Sequence, residues 1–184
     1  MLTWEQLILA CKGCQLCELG NLRTNIVIGR GNTKSQVMFI GEGPGEQEDL
    51  KGEPFVGAAG QLLDVLLEAL MFKPDDYYIA NIVKCRPPNN RVPNDQEAEK
   101  CLPYLRNQVA LIRPRIIVCL GSTAARYVIS KDIKITQIRG QWHEQKGCWI
   151  MPTFHPAALL RDSTKKALLF KDIKAVKEKM AQIL

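Results

Sequence analysis

Along the chain, short continuous apolar runs alternate with longer stretches whose apolar residues recur every three or four positions. The runs Gln36 to Ile40, Tyr77 to Val83, Arg115 to Leu120 and Trp149 to Pro152 read as strands. Between them, Gln61 to Phe72 places leucines at helical spacing, Asp95 to Ile112 reads as a helix troubled by Pro103, and Ser122 to Ile129 reads as a short helix opened by a capping serine. Lys165 to Leu184 is an amphipathic basic helix, a pattern that more often marks a solvated face than a binding site. Strands and helices in alternation imply an α/β sheet with helices on its faces. No repeat, low-complexity tract or linker interrupts the pattern, so residues 1–184 are expected to form a single domain. A chain of this length buries roughly 70% of its unfolded surface, so it should not need a metal merely to close its core.

Composition narrows the setting more than the chemistry. The chain opens on no charged-then-apolar leader and holds no apolar run near twenty residues, so it is expected to be cytoplasmic, neither exported nor membrane-spanning. Lys and Arg number 25 against 19 Asp and Glu, an excess compatible with a phosphate-rich partner but also common in proteins that bind no nucleic acid.

The cysteines carry more information. Cys14 and Cys17 sit at ordinary metal-ligand spacing, and Cys85 and Cys101 follow far downstream, sixteen positions apart. Thiolates bind soft metals, and a set of four suits either tetrahedral zinc or a [4Fe–4S] cluster; the wide second pair leans away from a zinc ribbon. Cys11 precedes Cys14 by the same spacing as Cys14 precedes Cys17, so from spacing alone the N-terminal pair is either Cys11/Cys14 or Cys14/Cys17. Cys119 and Cys148 lie in apolar runs and read as core residues.

In a sheet of this kind the loops after the strands hold the chemistry. After the first strand come Gly41-Glu42-Gly43-Pro44-Gly45-Glu46-Gln47-Glu48-Asp49 and then Pro54-Phe55-Val56-Gly57. No Gly-Lys-Ser/Thr follows, which excludes a triphosphate-binding P-loop, and the acidic residues would repel a naked phosphate. Carboxylates beside an isolated aromatic suit a base or sugar pocket instead. After the second strand, Asn81 leads through Lys84 to Cys85, Arg86 and Asn90; after the last, His155 precedes Pro156, Leu159, Leu160 and Arg161. Asn81 and His155, each taken alone, would more often be structural.

Taken in order, these segments resemble the family 4 uracil-DNA glycosylases, the iron–sulfur branch of the uracil-DNA glycosylase superfamily. The resemblance runs from Cys14 to about Asp172, through Arg23-Thr24-Asn25, the two loops after the first strand, Asn81 to Pro88, and His155 to Arg161. It implies a three-layer α/β/α fold with a central four-stranded parallel sheet. It also implies a [4Fe–4S] cluster, with counting back from Arg23 favouring Cys14, Cys17, Cys85 and Cys101 as ligands. The implied activity is hydrolysis of the N-glycosidic bond of uracil in single- or double-stranded DNA by a monomeric enzyme, leaving an abasic site for base excision repair. The first loop lacks the Asp-Pro-Tyr of the cluster-free family 1 enzymes, so their aspartate mechanism does not transfer.

On this resemblance Phe55 stacks on the flipped base and the Asn81 amide reads uracil, whose O4 accepts while N3–H donates. Glu42 and Gly43 line the pocket and crowd thymine's methyl group. His155 donates to the departing base, Glu48 supplies a carboxylate at the sugar, and Asn90 helps to place water. Leu159, Leu160 and Arg161 are assigned to the DNA, one leucine filling the gap and the arginine holding phosphate. The cluster is expected to be structural. Two other readings stay open at this point: a nucleic-acid-binding or electron-transfer iron–sulfur protein without hydrolytic activity, and a glycosylase of wider specificity that accepts deaminated purines.

Overall fold

The computed structural model describes residues 1–183. In chain order its elements are α1 (Trp4–Lys12), α2 (Leu19–Leu22), β1 (Arg30–Gly31), β2 (Val37–Gly41), α3 (Glu46–Lys51), α4 (Ala58–Ala69), β3 (Tyr77–Asn81) and α5 (Asp95–Ile112). There follow β4 (Ile116–Leu120), α6 (Ser122–Val128), α7 (Ile135–Ile138), β5 (His143–Gln145), β6 (Cys148–Thr153), α8 (Pro156–Arg161) and α9 (Lys166–Ile183). They build one sheet in the order β1-β3-β2-β4-β6-β5. The four inner strands, β3, β2, β4 and β6, correspond to the four apolar runs and are parallel, as the family resemblance implies. Two short edge strands absent from the sequence reading are added, β1 antiparallel to β3 and β5 antiparallel to β6. Both are too short to show an alternating pattern. The β5–β6 hairpin turns through Lys146 and Gly147, at φ 52° and 77°, the pair of left-handed residues that suits the twist of a two-residue hairpin.

The inner strands are apolar throughout because both their faces are covered. Successive side chains of a strand point to opposite faces. Val37, Phe39, Val118 and Met151 therefore pack with Leu63 and Leu67 of α4, Leu159 of α8 and Ile173 and Val176 of α9. Met38, Ile40, Cys119 and Ile150 pack on the other face with Leu102 and Leu105 of α5 and Ala124 and Ala125 of α6. This is the three-layer α/β/α arrangement. Cys119 is core, as read from its apolar run, whereas Cys148, read the same way, is only half-buried at the start of β6.

Helix boundaries shift for local reasons. α4 starts at Ala58 after Gly57 and stops before Leu70, with Met71 at φ 58° turning the chain. α6 is capped by Gly121, at φ 92°, and Ser122 is its first residue, so the serine is not the cap. α5 passes through Pro103 without a break; the proline removes one backbone hydrogen bond but faces solvent, where water can serve the freed carbonyl. α1, α2, α3, α7 and α8 are absent from the pattern reading; all but α1, which carries a capping box between Thr3 and Gln6, have six residues or fewer. Leu184, the end of the expected C-terminal helix, lies outside the described residues.

Candidate active site

The chain runs from β2 to β3 on one side of β2 and then crosses to β4 on the other, so the strand order reverses between the carboxyl ends of β2 and β4. Open α/β sheets bind ligands at such a point. A cleft of about 780 Å³ lies there, lined by Glu42, Gly43, Glu48, Phe55, Asn81, Asn90, His155 and Arg161 among others. The structure thus brings together side chains from four separate loops.

Asn81 ends β3 with 2% of its surface exposed, and its Oδ1 has no hydrogen-bond partner. An acceptor left unpaired in the interior costs roughly 1–3 kcal/mol, which makes it a poor structural residue and a good ligand for a donor. Its position is fixed from behind. The buried Lys84 ammonium donates to the Asn81 carbonyl at 2.7 Å and to Gln108 Oε1 at 2.6 Å. Burial pulls the pKa of Lys84 down to about 8, against the pull of the neighbouring cysteines. Nothing in the sequence singled out Lys84 beyond its place next to Cys85.

Phe55 stands beside Asn81 because Gly41 has no side chain. A Cβ there would lie 2.5 Å from Asn81 Oδ1 and 2.7 Å from Phe55 Cζ. Phe55 is 5% exposed and sits at φ 56°, a costly conformation for an aromatic residue that its surroundings impose. The Phe55 carbonyl runs so close to α4 that a Cβ on Gly60 would meet it at 1.9 Å. Glu48 holds the next two residues: its Oε1 accepts from the N–H groups of Val56 at 2.9 Å and Gly57 at 2.7 Å, and its Oε2 from Gly45 at 3.1 Å. Glu48 is therefore a negative charge clamped in the cleft wall and a staple for the Phe55 loop.

His155 precedes α8, and its ring lies 5.5 Å from that of Phe55. Its Nδ1 accepts the N–H of Ala157 at 3.1 Å, so the neutral ring carries its proton on Nε2. Desolvation, with the Arg161 charge in the same sense, lowers its pKa to about 4, the Glu48 charge opposing. Thr153 anchors the end of β6 just before it by donating to the buried Asp172 at 2.6 Å, which also pairs with Arg139. Asn90 is exposed in the cleft mouth at φ 54°, its Oδ1 accepting from Arg86 Nε at 2.7 Å.

The three residues assigned to DNA part company. Leu159 is 6% exposed and belongs to the core beneath α8, whereas Leu160 is 57% exposed and Arg161 lies at the surface beside the cleft. Of the two leucines, only Leu160 presents its side chain to solvent.

Away from the cleft, the cysteines gather. All seven are free thiols. Cys85 lies within electrostatic reach of Cys14 and Cys17, and Cys101 within reach of Cys14 and Cys85. Arg23 ties the two segments together, donating to Cys14 O at 3.0 Å and Cys85 Sγ at 3.3 Å, and the Lys84 N–H donates to Cys101 Sγ at 3.3 Å. Among the described residues no three acidic, histidine or cysteine side chains close to single-ion geometry. Thiols alone, with N–H donors aimed at sulfur, fit a larger sulfide-bridged group that spreads its ligands over several irons. Cys11 is buried in α1 beside this set, and burial pushes its pKa up to about 12.

The chain is similar to known proteins over most of its length. The family described as "Uracil DNA glycosylase superfamily" matches residues 28–178. A type-4 uracil-DNA glycosylase of Sulfurisphaera tokodaii is 44% identical over 174 residues, covering 90% of this chain and 79% of that one. One from Thermotoga maritima is 44% identical over 172 residues, 90% of this chain and 88% of the relative, and one from Archaeoglobus fulgidus is 43% identical over 164 residues, 85% and 82%. The chain belongs to the uracil DNA glycosylase superfamily, among its type-4 uracil-DNA glycosylases.

Proposed function

We propose that this monomeric chain works in the cytoplasm, removing uracil from single- or double-stranded DNA by hydrolysing its N-glycosidic bond and so opening base excision repair. The observation that carries the reading is the unpartnered buried Oδ1 of Asn81 beside Phe55. An acceptor there takes the N3–H of uracil while the amide N–H donates to O4; cytosine presents the reverse pattern and leaves both groups mismatched. Among the described residues no helix is long and apolar enough to cross a membrane.

Taking the base out of a duplex costs on the order of a few kcal/mol of unstacking, which stacking on Phe55 and the hydrogen bonds of Asn81 offset. The exposed Leu160 is placed to fill the gap in the stack and Arg161 to hold phosphate. As the bond to C1′ breaks, electrons collect on the uracil ring. His155 donates from Nε2 to O2 without giving up a full proton, which its low pKa as an imidazolium favours. The fixed charge of Glu48 stabilises the cationic sugar, and the Asn90 amide helps to place the attacking water. Glu42 and Gly43 line the cleft, and this wall is proposed to crowd thymine's methyl group.

A [4Fe–4S] cluster bound by Cys14, Cys17, Cys85 and Cys101 would supply a covalent staple between the N-terminal segment and the loop that carries Asn90. The test of the reading is a glycosylase assay of the purified protein on matched oligonucleotides containing U, T, C or hypoxanthine, with alkaline cleavage of abasic sites. Cleavage confined to U supports it; cleavage at hypoxanthine as fast as at U would widen the substrate class, and none at U would overturn it.

A further inference from the structure

Glu42 and Thr123 meet across the point where the strand order reverses. Glu42 follows β2, Thr123 is the second residue of α6 after β4, and the Thr123 hydroxyl donates to Glu42 Oε2. Thr123 is buried, and Glu42 is half-buried and lines the cleft. The other oxygen, Glu42 Oε1, has no partner among the described residues. The two carboxylates of the cleft therefore differ: Glu48 takes three backbone N–H groups on its two oxygens, whereas Glu42 is held by one oxygen and free at the other. The turn that orients Glu42 also touches the proposed donor, because a Cβ on Gly121 would lie 3.0 Å from His155 Cβ.

We propose that Glu42, oriented by Thr123, is the carboxylate that holds the attacking water and receives its proton, with Thr123 a positioning residue. The inference rests on the uracil-excision reading above. As the C1′–N1 bond breaks, its electron pair goes to uracil, whose O2 accepts from His155. The water oxygen bonds to C1′, and its proton passes to Glu42 Oε1. The uracil anion then takes up a proton from solvent, and Glu42 returns its own to solvent, so atoms and charge balance. Glu48 keeps its charge throughout and holds the Phe55 loop, a division of labour that a carboxylate engaged at both oxygens and one with a free oxygen suit respectively.

The experiment is single-turnover excision from uracil oligonucleotides by Thr123→Val, Thr123→Ser and Glu42→Gln, with binding to abasic DNA measured alongside. Valine matches threonine in shape and removes only the hydroxyl, so the rate should fall about tenfold or more while abasic-DNA binding holds. Serine, which restores the hydroxyl, should recover most of that loss. Glu42→Gln should slow excision by about 10²-fold, and adding Thr123→Val to it should cost nothing further, because the hydroxyl acts through the carboxylate. Equal losses in the valine and serine variants would mean that packing, not the hydroxyl, is at stake, and would overturn the proposal. A near-normal rate in Glu42→Gln would overturn it as well, even if Thr123→Val failed to fold. In either case wild-type uracil excision would still stand, which separates this inference from the reading beneath it.

Discussion

The imidazole of His155 accepts the backbone N–H of Ala157 at its Nδ1, 3.1 Å away, and this bond decides which nitrogen is the donor. With Nδ1 occupied, the neutral ring presents Nε2–H. Removing the ring in His155→Ala should slow single-turnover excision by about 10²-fold with abasic-DNA binding retained. The same burial makes a prediction for stability. The folded-state pKa, about 4, lies below the ordinary 6.5, so the unfolded chain binds a proton that the folded chain refuses. The stabilisation is whole above pH 6.5 and is lost as pH falls toward 4. Denaturant midpoints of wild type and His155→Ala should converge over that window; parallel curves would place the titration elsewhere.

Phe55 is held by a neighbour that conservation of shape would hide. In an ordinary helix, Gly60→Ala would gain about 1 kcal/mol. Here the added methyl would collide with the Phe55 carbonyl, so the variant should melt lower and lose uracil excision together. Phe55→Ala should weaken productive base binding by roughly 1–3 kcal/mol, read as a higher half-saturating substrate concentration. Full activity in both variants would make Phe55 an ordinary core residue.

Leu159 and Leu160 are adjacent in sequence and opposite in surroundings. Leu159→Ala should cost about 2–5 kcal/mol of stability, the usual price of a cavity under a helix. Leu160→Ala should leave the melting temperature unchanged and slow excision on duplex more than on single-stranded substrate, where no stack is opened. Arg161→Ala should lower the slope of log affinity against log salt by about one phosphate's worth. A Leu160 variant equally impaired on both substrates would remove it from the wedge position.

The cysteines predict a colour. Protein purified without oxygen should be brown, with about four irons and four sulfides per chain. Serine at Cys14, Cys17, Cys85 or Cys101 should deplete them, whereas serine at Cys11 should largely spare them. Stoichiometric zinc in place of iron would contradict the assignment.

Much of the architecture was legible because parallel strands covered on both faces are written as continuous apolar runs, and four of them came out as the inner strands. The edge strands were not legible, since two or three residues of backbone pairing leave no side-chain pattern. Of the site, the residue types were readable and their supports were not. Asp172 behind Thr153 and Thr123 against Glu42 lie far in sequence from the residue they hold, and Lys84, three residues after Asn81, is itself seated by the distant Gln108. Only the fold brings them together. The same limit applied to Leu159 and Leu160, whose separation into core and surface depends on how α8 lies against the sheet.

Asn81 bears the central claim, and one comparison tests it most directly: single-turnover excision by wild type and Asn81→Asp on oligonucleotides that differ only in carrying U, C or T. Wild type should cleave at U alone. Asn81→Asp should lose most of that rate and gain weak cleavage at C, because a protonated carboxyl offers an altered pattern of donor and acceptor. Undiminished uracil excision by Asn81→Asp would contradict the account, since the buried amide at the end of β3 would then not be what reads the base.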